Sequence, residues 1–77
     1  MKRSGLSLAQ LRVIDALART GSIQATATAL GIAQPSVTKH LTTIEGRYRQ
    51  RLFERRGRQL IAAEACEALL PRIRTLL

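Results

Sequence analysis

Gln34, Pro35, Ser36, Thr38, Lys39 and Thr42 fall within nine residues that hold no carboxylate. A carboxamide, three hydroxyls and one ammonium suit hydrogen bonding to nucleobase edges and phosphates rather than bond making. Gln can donate to and accept from adenine at once, Thr can meet a base edge, a thymine methyl or a phosphate, and Lys can reach guanine or the backbone. A second cluster follows: Arg47, Arg49, Arg51, Arg55, Arg56 and Arg58, with Glu54 the one acid among them. Residues 1–46 contribute +3, residues 47–58 contribute +5 and residues 59–77 are neutral. That density exceeds what solubility requires and marks a footprint for a polyanion.

Catalytic chemistry finds little support. Cys66 is the single cysteine, so no internal disulfide forms, and with His40 the single histidine no ordinary zinc site can be assembled. Cys66 is expected in the core or an interface, and His40 beside the core stripe of its helix. The five acids are too sparse for an acid/base pair, and Glu45 is expected to pair with an arginine of the 47–58 segment. A chain of 77 residues buries only about 60% of its unfolded surface and has no room for a deep cleft. No enzyme, no metal and no cofactor is therefore expected.

The net charge of +8 favours nucleic acid over an anionic membrane surface. Hydrophobic residues reach 45%, yet there is one Phe, one Tyr and no Trp, so the core is expected to be aliphatic and helical. Met1–Gly5 is basic, but no apolar run of signal-peptide or membrane-spanning length follows. The expected location is the cytoplasm.

The elements that must position these side chains read as follows. Ser7 and Gln10 form a capping-box pattern, and Leu8, Leu11, Ile14 and Ala18 give the stripe of a first helix over 8–19. Ser22 caps a short second helix with the stripe Ile23, Ala27 and Leu30, closed by Gly31. Pro35 stands in the first turn of a third helix striped by Val37, Leu41 and Ile44. With Val37 at zero and about 100° per residue, Leu41 and Ile44 face the core, while Pro35, Thr38, Lys39 and Thr42 lie opposite. Residues 52–61 read as a two-stranded ribbon turning at Gly57. From Glu64 onward Cys66, Leu69, Leu70, Ile73, Leu76 and Leu77 stripe a fourth helix that Pro71 is expected to kink or restart.

The joint Gly31-Ile32-Ala33 between two short helices, with Ala27 and Val37 at the crossing, has helix-turn-helix form. At this point the chain resembles the N-terminal domain of LysR-type transcriptional regulators. The resemblance spans about Leu8 to Leu77. It rests on Gly21-Ser22-Ile23, Ala27, Leu30, Ile32, Gln34-Pro35, Val37, Thr38 and Ile44-Glu45, and on Leu52-Phe53-Glu54-Arg55 with Arg58 and Ala65. It implies a mainly α, winged helix-turn-helix fold: a three-helix core, a short two-stranded wing, then a C-terminal linker helix that dimerises. The expected division is a DNA-binding domain over 1–62 and the linker helix over 63–77, without the effector-binding domain of the family. The implied function is sequence-specific binding of a dyad-symmetric operator in double-stranded DNA as a homodimer. A small-molecule effector would act only through the missing domain.

Carried over by position, Gln34, Pro35 and Thr38 lie at the groove with Lys39, and Arg55 and Arg58 face the flanking backbone or minor groove. Ser36 and Thr42 extend that face, and Ser22 is expected first as a cap and second as a phosphate contact. The resemblance assigns Leu69, Ile73 and Leu76, with Leu70 and Leu77 of the same stripe, to the dimer interface. Several positions depart from the family pattern: Ala33 stands for a serine, Thr26 for an alanine, Tyr48-Arg49 for Leu-Gly, and Ala62-Ala63 with Cys66 for Leu-Thr and Gly. They remove a hydroxyl that could cap helix three, alter its end at Tyr48-Arg49, and remove the threonine cap of helix four. Two rival readings remain: a non-specific, nucleoid-like nucleic-acid module using the arginines alone, and a protein-interaction module docking through residues 64–77.

Overall fold

The computed structural model describes residues 6–77, and the basic stretch Met1–Gly5 lies outside the described residues. Helix α1 (Leu8–Thr20) opens with the expected capping box. The Ser7 hydroxyl accepts from the Gln10 N–H at 3.1 Å, and Gln10 Oε1 accepts from the Ser7 N–H at 3.0 Å. It runs one residue further than expected and stops at Gly21, whose φ of 70° turns the chain. Helix α2 (Ile23–Leu30) is capped by the Ser22 hydroxyl, which accepts from the Ala25 N–H at 3.0 Å. Helix α3 (Gln34–Tyr48) starts at Ala33 without a side-chain cap and carries Pro35 in its first turn, where the missing N–H leaves no helical partner unsatisfied. It ends at Arg49, which takes the left-handed conformation at φ 52°.

Strands β1 (Phe53–Arg56) and β2 (Gln59–Ala62) form an antiparallel hairpin, with Phe53 opposite Ala62, Arg55 opposite Leu60 and Arg56 opposite Gln59. Its register is closed by the Ala63 N–H donating to the Leu52 carbonyl at 2.8 Å. Helix α4 (Glu64–Leu76) begins at Ala63, again without a side-chain cap. Contrary to expectation it continues through Pro71 as one element. Pro71 is exposed, and the buried Cys66 and Leu70 before it and Ile73 after it hold both halves against the same core.

Two apolar clusters meet at α1. Ile14, Leu17, Ile44, Leu52, Phe53, Cys66, Leu70 and Ile73 form the larger, and Val13, Ala27 and Val37 pin the crossing of α2 and α3. The stripe expected for α1 is corrected: Leu8 is 52% exposed, while Val13 and Leu17, outside that stripe, are buried. The helix is covered on several sides, by α2, α3 and α4, so it buries an arc wider than one stripe. The five residues expected at a dimer interface divide into two groups. Leu70 and Ile73 are only 7% and 4% exposed, inside the protomer's own core, whereas Leu69, Leu76 and Leu77 remain on the surface. Burying each such side chain in the chain's own core contributes about 1.5–3 kcal/mol.

Thr26 is fully buried, and its hydroxyl lies 2.9 Å from that of Thr20, so the polar group that replaces an apolar one in the family pattern is hydrogen-bonded.

Candidate nucleic-acid interface

Gln34, Pro35, Thr38 and Lys39 line one open hollow on the outer face of α3. Val37 and Ile44, buried on the opposite side against α1 and α2, fix the rotation that turns these four outward. Ser36 and Thr42 are exposed on the same helix. Ser22 sits apart from the hollow, and its hydroxyl is already engaged as the α2 cap.

Arg55 lies on β1 and Arg58 in the hairpin turn, both exposed, with Arg56 between them at the tip. Lys39, Arg55, Arg56 and Arg58 form no ion pair among the described residues, so their charge is presented to solvent. Arg56, a member of the arginine cluster that the family resemblance does not place at the DNA, stands at the strand end beside Gly57 and is as exposed as its neighbours.

Two contacts set the hairpin relative to α3, and neither was legible in the sequence. Glu45 Oε2 accepts from the Leu52 N–H at 2.7 Å and from the Phe53 N–H at 3.3 Å, tying the start of β1 to the last turns of α3. The expected arginine pairing overlooked this backbone role, because a carboxylate ahead of an arginine run signals an ion pair first. The Gly21 carbonyl accepts from the Leu60 N–H at 2.9 Å, fastening β2 to the joint between α1 and α2. A Cβ at Gly21 would stand 3.3 Å from both the Leu60 carbonyl oxygen and the Gln59 amide nitrogen, so the close approach as well as the turn requires glycine.

Of the acidic groups, Glu54 stands exposed on β1 among the arginines, whereas Asp15 is neutralised by ion pairs away from them. Burial pushes the Asp15 carboxyl up, but hydrogen bonds from Arg74 at 2.7 Å and Arg19 at 3.1 Å, with their charges, outweigh it and hold the group below its ordinary value. The Arg74 contact also clamps α4 to α1. Cys66 lies fully buried, and its thiol is pushed up to about 11 by burial and by Glu67, so it is protonated and shielded. His40 is half-buried, beside a small hollow between α1 and the end of α2. No described helix is long and apolar enough to cross a membrane.

The family model for bacterial regulatory helix-turn-helix proteins of the lysR family matches residues 8–67. An uncharacterized HTH-type transcriptional regulator from the ibpB-leuC intergenic region of Azotobacter vinelandii is 40% identical over 67 residues, covering 87% of this chain and 46% of the relative. Among solved structures, oxidized OxyR from Corynebacterium glutamicum superposes with a TM-score of 0.88 at 35% identity, over 97% of this chain and 24% of its own. The CbnR DBD-DNA complex gives a TM-score of 0.85 at 28% identity, over 92% of this chain and 82% of the other. The chain thus spans less than half the length of that curated relative. With the helix-turn-helix, the wing and the family match in agreement, the chain belongs to the lysR family of bacterial regulatory helix-turn-helix proteins.

Proposed function

We propose that the chain binds operator DNA sequence-specifically as a twofold dimer in the cytoplasm, residues 1–62 forming the DNA-binding domain and 63–77 the linker helix. The observation that carries this reading is the gathering of Gln34, Pro35, Thr38 and Lys39 on one exposed face of α3, beside a hairpin bearing Arg55, Arg56 and Arg58. Helix α3 enters the major groove, Ser36 and Thr42 flank the reading residues, and the wing arginines hold neighbouring phosphates. Ser22, at the start of α2, keeps its cap and reaches phosphate only through its remaining hydrogen-bonding capacity. The similar CbnR domain, found in a complex with DNA, supports the same mode of engagement.

The dimer reading rests on the exposed part of the α4 stripe. Leu69 and Leu76 line an apolar groove of about 580 Å³ together with Leu11, Tyr48, Leu52 and Ile73, and Leu77 is exposed at the end of the same helix. Any small-molecule effector would be sensed outside these 77 residues.

Selection of bound fragments from a random duplex library at near-physiological salt tests the proposal. An enriched, interrupted dyad is expected. Binding without enrichment would leave the arginine cluster as a non-specific phosphate binder and end the operator reading. On the enriched duplex, Gln34→Ala should flatten base preference by about 1–3 kcal/mol. Arg58→Ala should weaken all duplexes alike and reduce the salt slope by about 1.

A further inference from the structure

The chain's positive charge is almost entirely guanidinium. Of its 13 Lys and Arg residues eleven are arginine, and the two lysines are Lys2 and Lys39. Lys2 lies outside the described residues, so Lys39 is the one lysine among them. The two groups differ in reactivity as well as in shape. A guanidinium keeps its proton in water and offers no free electron pair, whereas an ε-amine that releases its proton is a nucleophile and a target of acylation. An acyl donor that reaches α3 and the hairpin therefore meets one ε-amine, because Arg47, Arg49, Arg51, Arg55, Arg56 and Arg58 are closed to it.

Lys39 is open to such a reagent. It is exposed, it lines the hollow on the outer face of α3 with Gln34, Pro35 and Thr38, and it forms no ion pair among the described residues. No carboxylate occurs from Gln34 to Ile44, so no acid within a turn of the helix on either side covers the amine.

We propose that Lys39 is an acylation site, and that its modification turns a selective DNA binder into a non-selective one. The ε-amine nitrogen attacks the acyl carbon of an acyl phosphate. An amide bond forms as the bond from that carbon to the phosphate oxygen breaks; the phosphate leaves with the electron pair, and the amine proton passes to solvent. The net charge of +8 falls by one, and a cation able to bond guanine becomes a longer, neutral amide in the middle of the reading face. The hairpin arginines keep their charge, so the attraction to phosphates persists. The proposal rests on α3 being the groove helix, and it adds a covalent means of silencing the reading face without releasing the backbone.

The test treats the 77-residue chain with acetyl phosphate, alone and with the enriched duplex in excess, and locates the acetyl groups by peptide mass mapping. Affinity for the enriched duplex and for an unselected one is measured before and after treatment, for the parent and for Lys39→Arg. Lys39 is expected to be acetylated in the free chain and protected on the duplex. Treatment should weaken the parent about tenfold on the enriched duplex, the scale of one lost base contact, and far less on the unselected one. Lys39→Arg, whatever its own starting affinity, should pass through treatment without further loss. A free Lys39 that stays unmodified while Lys2 or the terminal amine is acetylated would overturn the proposal. So would an equal loss on both duplexes, which would make Lys39 a phosphate contact, and so would the same loss in Lys39→Arg, which would assign the effect to the N-terminus. Untreated Gln34→Ala separates this proposal from the reading beneath it. If Gln34→Ala loses preference while the acetylated parent keeps it, the groove reading stands and the Lys39 proposal falls. If neither changes affinity for either duplex, both fall.

Discussion

At the scale of single residues, the chain holds conformations that its side chains do not favour. Arg49 ends α3 in the left-handed region, its N–H donating to the Glu45 carbonyl, where the family pattern has glycine. A residue with a Cβ loses roughly 1–2 kcal/mol in that region. Arg49→Gly is therefore expected to stabilise the fold by about 1 kcal/mol, read from the denaturant midpoint at unchanged slope. A fall in the midpoint would mean that the arginine side chain contributes contacts that outweigh its backbone strain. The sequence showed the departure at this position but not its consequence, because φ depends on where the helix stops.

At the scale of elements, the hairpin owes its position to hydrogen bonds from outside it more than to its own four residue pairs. A two-stranded ribbon alone is marginal in water. Glu45→Ala removes the acceptor shared by the Leu52 and Phe53 N–H groups, and leaving such donors unpaired costs about 1–3 kcal/mol. Loss of protection in hydrogen exchange should appear first at those two amides and across β1. Exchange unchanged there would show that the apolar contacts of Leu52 and Phe53 hold the hairpin by themselves. The element order and the turn at Gly57 were legible because caps, proline and glycine punctuate the chain locally. The core was legible only in part. Val13 and Leu17 escape a one-stripe reading of α1 because that helix is covered on several sides, and the burial of Leu70 and Ile73 depends on α4 folding back on α1. Of the candidate site, the α3 face could be read from helical rotation, whereas the ties through Glu45 and Gly21 depend on tertiary contacts between residues distant in sequence.

At the scale of the molecule, Asp15 is the carboxylate through which α4 is clamped to the rest. Its lowered pKa fixes the sign of the acid response. The clamp contributes fully above the ordinary carboxylate value of 3.8 and is lost as pH falls from there through the lowered one. Asp15→Asn should accordingly be less stable than the parent at neutral pH, with the gap closing in acid. Denaturant unfolding across that range checks it, and a gap constant with pH would assign the loss to packing instead of charge.

The bond from the Leu60 amide to the Gly21 carbonyl has a consequence for the choice of DNA. Together with the Glu45 tie, it holds the hairpin tip at a set distance from α3, so the two prongs act as a caliper. A duplex seated on both is measured across its width before any base is read. Tracts whose grooves already match the opening bind without bending, and stiff tracts that do not match must be deformed at an energetic cost. On the proposed binding mode, nucleotides that no side chain touches would thereby enter the preference of the protein.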